Sequence, residues 1–102
     1  MLTFEKVLKI FQSYLQQEDY YEVIPTRGGY TVMAWDKYRQ DWNSADYCGT
    51  PEALCERLLG AYEDYLGFLL TGGESDLTEL QQKEIQSKLD DLAEQCRKAG
   101  EE

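Results

Sequence analysis

The apolar positions of the chain follow one period, change to another, and change back. Phe4, Val7, Leu8, Phe11, Tyr14 and Leu15 recur at three- and four-residue spacings, which predicts an amphipathic helix over 4–18. Thr3 fits its N-cap, and Leu2 and Val7 fit the two ends of a hydrophobic staple. From Tyr20 the pattern turns aromatic and β-branched, predicting strands over 20–26, 30–36 and 42–47. Arg27-Gly28-Gly29 supplies a turn and Asp36 to Asp41 a polar connection, so neighbouring strands should run antiparallel. Pro25 cannot donate to a ladder and belongs at the end or edge of the first strand.

Thr50-Pro51-Glu52 restores the helical period with an N-cap, a proline at N1 and an acid in the first turn. The predicted helix covers 51–70 and stops at Thr71-Gly72-Gly73. Leu54, Cys55, Leu58, Leu59, Tyr62, Tyr65, Leu66 and Leu69 fill one arc of it. A last helix over 78–98 opens with Thr78 and Gln81 in capping-box spacing. It carries one narrow apolar seam, Ile85, Leu89, Leu92 and Cys96. Glu79–Lys83, Glu84–Lys88 and Glu94–Lys98 stand in the favourable i, i+4 order.

The expected fold class is α+β: one domain over 1–102, order α-β-β-β-α-α, a three-stranded antiparallel meander with helices on one face. Phe4, Val7, Leu8, Phe11, Leu15, Val32, Leu54, Leu58, Tyr62, Leu66 and Leu69 are the expected core. The seam of helix 78–98, the one semi-independent element, must fold back on the domain or pair with its own copy. Folding back, and so a monomer, is the expectation over a homodimer, because two heptads are a short basis for a coiled coil.

At 102 residues the chain has room for one core. Ten bases stand against twenty acids, a net charge of −10, which argues against direct binding to nucleic acid or to an anionic membrane. Residues 51–73 hold one base and four acids, and residues 74–102 four bases and nine acids. Eight of the ten excess negative charges therefore lie on the two C-terminal helices. No apolar run reaches the ~18 residues of a membrane span. Glu5, Lys6 and Lys9 interrupt any secretory core at the N-terminus. The three cysteines, Cys48, Cys55 and Cys96, have no framework spacing and read as free thiols of a cytoplasmic protein.

The absence of histidine removes imidazole bases, Ser-His and Cys-His nucleophiles and His-ligated metals. Asp90 and Asp91 are adjacent on a helix and point apart, and Glu52 and Glu56 lie on an exposed arc where nothing raises a pKa. Gly28-Gly29 and Gly72-Gly73 are a turn and a helix stop rather than phosphate loops. The expectation is a protein without catalytic residues, cofactor or metal.

Two surfaces remain as candidate partner-binding sites. One is acidic. Glu52, Glu56, Glu63 and Asp64 lie opposite the apolar arc of helix 51–70, and Asp90, Asp91 and Glu94 lie opposite the seam of helix 78–98. Glutamates four apart stand about 6 Å from one another on a helix, a regular row of negative charge like that of a nucleic-acid strand. The other surface is aromatic. One covered face cannot take every ring of Tyr30, Trp35, Tyr38, Trp42 and Tyr47, and exposed Trp and Tyr are preferred hot-spot residues. Trp35, Tyr38 and Trp42 are the candidates.

Gly29-Tyr30-Thr31-Val32-Met33-Ala34-Trp35-Asp36, Thr50-Pro51-Glu52-Ala53-Leu54 and Leu70-Thr71-Gly72-Gly73 resemble segments of small acidic proteins carried on conjugative elements of Gram-positive bacteria. In element order and acidity, though not in sequence, the chain is also similar to anti-CRISPR inhibitors of RNA-guided nucleases. That likeness implies an acidic mimic occupying the basic, DNA-binding surface of a nucleic-acid enzyme, and it transfers no individual residue. The alternative expectation is an adaptor that holds a protein partner, or itself, through the aromatic sheet face or the last helix.

Overall fold

The computed structural model describes residues 1–73 and 75–101. Two short helices, α1 (Phe4–Ile10) and α2 (Gln12–Gln17), precede strands β1 (Tyr21–Thr26), β2 (Gly29–Asp36) and β3 (Asp41–Cys48). Two long helices follow, α3 (Pro51–Thr71) and α4 (Glu79–Glu101). The sheet is the antiparallel meander β1-β2-β3. The α+β class and the order of helical and strand segments expected from the sequence are those observed.

Side chains close the helix ends as their spacing requires. Thr3 accepts from the N–H of Lys6 at 3.2 Å and Thr50 from that of Ala53 at 3.1 Å. Thr78 and Gln81 form a reciprocal capping box, at 3.1 Å onto Thr78 Oγ1 and 2.9 Å onto Gln81 Oε1. Gly72, at φ 65°, ends α3 in the left-handed conformation that a side chain would strain.

The first helix differs from expectation. It is broken at Phe11 (φ −91°, ψ 4°), whose N–H is shared between the carbonyls of Val7 and Lys9. The tightened turn does not change the helix direction abruptly, since Phe11 N–H still reaches Val7 O at 3.1 Å and Leu15 N–H reaches Phe11 O at 3.0 Å. Val7, Phe11 and Tyr14 are all buried on one side of it.

In the sheet, Val23 pairs with Val32, and Val32 with Asp46. Tyr30, Val32 and Ala34 of β2 face the helices. Thr31 and Met33 alternate onto the other face together with Ile24 of β1. Near its end the β2–β3 register slips: Ala34 opposes Ser44 but Trp35 opposes Trp42. Asn43 is the extra residue of a bulge. The start of β2 runs so close to the end of β3 that a Cβ on Gly29 would lie 2.2 Å from the Cys48 carbonyl oxygen. Only glycine fits there.

The core lies between this sheet face and the helices. Leu54, Leu58 and Ala61 of α3 pack with Val32 and Cys48 beneath them and Val7, Phe11 and Tyr14 beside them. The α4 seam folds back onto this assembly. Ile85 and Leu89 pack on Leu66, while Cys96 joins Leu2 and Cys55. With extents of 39 × 34 × 18 Å the molecule is a thin slab, which leaves the Ile24–Met33 face of the sheet uncovered.

Of the expected core residues, Phe4, Leu8, Leu15 and Tyr62 are partly buried and one, Leu69, is exposed. Leu69 is 60 % exposed, between Phe68 at 63 % and Leu70 at 40 %. It lies on the apolar arc of α3, but that helix has 21 residues, about 30 Å at 1.5 Å per residue. Its last turn extends past the packed part of the sheet. Leu58→Ala should therefore cost ~2–5 kcal/mol of stability by opening a cavity in the core. Leu69→Ala, on the same arc, should cost less than about 0.5 kcal/mol. Urea titrations of the two variants check this, and equal losses would contradict the assignment.

Candidate functional site

The acids expected to bind a partner fall into three groups. Glu52, Glu56 and Glu63 form an exposed stripe along α3, and among the described residues none of them makes a hydrogen bond or ion pair. On α4 the charge is largely engaged locally. Arg97 binds Glu94 and Glu101 together, drawing Glu94 below the usual carboxylate range. Asp90 accepts from Gln86 at 2.8 Å and Asp91 from Gln95 at 3.2 Å. Of the expected i, i+4 pairs, Glu84–Lys88 forms, at 3.9 Å. Glu94 turns to Arg97 instead of Lys98 because the planar guanidinium can fork onto both carboxylate oxygens.

Asp64 separates from the stripe and belongs to a different place. It accepts from the Tyr21 hydroxyl at 3.3 Å. On that side of α3, Arg57 bonds Asp46 of β3 at 2.8 Å and lays its guanidinium over the Tyr21 ring, 5.1 Å from the centroid. Arg57 thus ties α3 to both edges of the sheet.

Beyond Asp64 the overhanging end of α3 and the end of the sheet enclose a groove of about 800 Å³. Its walls are aromatic and apolar: Tyr20, Tyr21, Trp35, Tyr38, Tyr65, Phe68 and Leu69. Glu18, Asp19, Asp36 and Asp64 face it as well, against one base, Lys37. A second hollow of about 520 Å³ continues around the α2–β1 junction and shares Glu18, Asp19 and Tyr21 with the first. Two of the three aromatic candidates, Trp35 and Tyr38, line the groove. Tyr38 is 90 % exposed on the β2–β3 turn, while Trp35 is half-buried with its ring edge-on to Trp42 at 4.9 Å. Trp42 supports that ring from the neighbouring strand. Tyr30 packs on Phe4 instead, at 5.2 Å.

Glu18 was not among the sequence candidates and is the least ordinary group here. It is 8 % exposed, the one buried charged side chain among the described residues. Oε1 accepts the N–H groups of Tyr20 and Tyr21, the latter at 2.7 Å, and so shapes the passage from α2 into β1. Oε2 is buried without a partner, as is the hydroxyl of Tyr14. Burial raises the pKa of Glu18, the two backbone N–H groups pull it back, and the Asp19 charge adds to the rise. Burial and then Glu18 itself push the Tyr14 phenol far above its ordinary range. Phe68 was also missed. Its sequence signal was a large apolar residue four positions after Asp64, to one side of the apolar arc.

The remaining chemistry is sparse. Cys48, Cys55 and Cys96 are buried free thiols. Burial, then the neighbouring Cys96, pushes Cys55 up to about 12. Among the described residues no cluster of acids and cysteines is placed to hold a metal ion, and no helix is long and apolar enough to cross a membrane.

The raised pKa of Glu18 means that folding favours its protonated form. Its contribution to stability is complete below the ordinary value of 4.5 and is lost as pH rises through the higher folded value. Glu18→Gln keeps the acceptor that caps Tyr20 and Tyr21 and removes the titration. Urea titrations at about pH 4 and about pH 7 should show the variant gaining on the wild type at the higher pH. A difference independent of pH would refute the burial of an ionisable carboxyl. Set beside known proteins, the chain matches no family model, no curated protein and no solved structure.

Proposed function

We propose that this is a non-enzymatic binding protein whose acidic helical surface engages a basic partner, in the manner of a nucleic-acid mimic that inhibits a nucleic-acid enzyme. The observation that carries the reading is the stripe of Glu52, Glu56 and Glu63. Three carboxylates stand in a row on one rigid helix, exposed and without an ion pair among the described residues. Mutual repulsion along such a row adds nothing to folding and is tolerated because water and salt screen it. A basic groove turns the same repulsion into attraction and accelerates association.

The acids of α4 contribute less than their number suggests, since Arg97 offsets Glu94 and Glu101. The stripe on α3 therefore carries most of the specificity in this reading. The protein acts as a monomer, because the α4 seam finds its apolar contacts within the chain. Light scattering at low micromolar concentration should return a mass of 11.9 kDa; twice that mass would favour the adaptor reading.

The functional test starts from the partner recovered by pull-down and measures its binding to duplex DNA with and without the protein. Competition is expected. Glu52→Gln, Glu56→Gln and Glu63→Gln together should leave folding intact, weaken the partner by about tenfold or more, and flatten the salt dependence. Unchanged affinity and salt slope would reduce the stripe to a solubilising role.

A further inference from the structure

The groove at the end of the sheet has features that the α3 stripe lacks. Its carboxylates, Glu18, Asp19, Asp36 and Asp64, stand beside aromatic rings. Glu18 is more than nine-tenths buried, lines the groove and holds one oxygen without a partner. The floor includes Phe68 and Leu69, large apolar side chains left in solvent at the end of α3. Burial of a carboxylate oxygen without a donor is costly, and so is exposure of apolar surface. An occupant with an aliphatic flank would cover the apolar surface, and a cationic donor on it would meet the exposed carboxylate of Asp64.

The fold already shows which cation these surfaces accept. The guanidinium of Arg57 lies over the Tyr21 ring at 5.1 Å while bonding the Asp46 carboxylate at 2.8 Å. Tyr21 also lines the groove, where Asp64 and Glu18 supply carboxylates and Trp35 a second ring. A guanidinium is planar, stacks on aromatic faces and bonds carboxylates through a fork of donors, which suits this setting better than a compact ammonium. The volume, about 800 Å³, is that of a short segment rather than of one side chain.

We propose that this groove is a docking site for an arginine-bearing, amphipathic segment of a partner protein, whose guanidinium meets Asp64 among the aromatic rings and whose aliphatic neighbour covers Phe68 and Leu69. The site is separate from the α3 stripe and does not depend on its role. Lys37, on the β2–β3 turn with its ammonium over Tyr38 at 5.9 Å, is the one base among the groove's lining residues.

The test uses the full chain and a capped pentapeptide of alternating leucine and arginine, followed by amide chemical shifts and tryptophan fluorescence. Saturable shifts are expected at residues 18–21, 35–38 and 64–69. The same peptide with citrulline, neutral and nearly isosteric, should bind about tenfold more weakly, since it loses the charge-assisted bonds. Asp64→Asn, which keeps an acceptor for Tyr21, and Phe68→Ser, at an exposed position, should each weaken binding severalfold with the circular dichroism unchanged. Equal affinity for the citrulline peptide, or for both variants, overturns the proposal. So does the absence of saturable shifts. Shifts gathered on residues 52–63, abolished by the triple glutamine variant and not by Asp64→Asn or Phe68→Ser, would overturn the groove while upholding the acidic stripe.

Discussion

Burial of the apolar arc of α3 is the constraint on which the rest of the structure depends. A chain this short forms one core, and α3 is the element that meets every layer around it. Leu54, Leu58 and Ala61 close that core over Val32 and Cys48 of the sheet and against α1 and α2. Leu66 receives the α4 seam on another side. The helix is also longer than the surface it covers. Its packed turns hold the domain together, and its last turn, with Phe68 and Leu69 exposed, creates the overhang that makes the groove.

Electrostatics follow from the same placement. Arg57 is the single base of α3 and it is spent inward, on Asp46 and the Tyr21 ring. Its side chain is one-quarter exposed, so this pair is screened less than the surface pairs of α4. With that charge directed to the sheet, the outer side of α3 is left to Glu52, Glu56 and Glu63. The negative stripe is thus partly a consequence of how the helix is attached. On α4, Arg97 remains outside and offsets the neighbouring acids. The four acids of α3 therefore leave a more open negative surface than the six of α4.

Glu18 links folding to the groove. One oxygen directs the chain from α2 into β1 by accepting two backbone N–H groups, and the other is buried without a partner. The first role explains why a carboxylate is present at a turn that would otherwise leave those donors unsatisfied. The second carries an energetic cost that capping alone does not require. This difference between the two oxygens, beside rings and further carboxylates, distinguishes the groove from an ordinary crevice.

The sequence by itself determined the elements and their ends, because these rest on contacts between residues close in the chain. Thr3, Thr50 and the Thr78–Gln81 pair cap the helices that their spacing predicts. The change of period at Tyr20 marks the sheet, and the 4-3-4 seam of α4 faces inward, with Ile85, Leu89 and Cys96 buried and Leu92 partly so. Exposure of Glu52, Glu56 and Glu63 was likewise legible, from their position opposite the apolar arc. Only the tertiary structure decided where each element stops being covered. Leu69 fits the arc as well as Leu58 does, and the two differ because the sheet ends before the helix. Glu94 pairs with Arg97 rather than Lys98 through side-chain geometry that spacing does not encode. Glu18 reads as one acid among twenty, and its burial follows from α2, β1 and α3 closing around it. The groove has the same origin, since its walls come from segments 17–21, 35–38 and 64–69, distant in the chain and adjacent only after α3 has packed across the sheet.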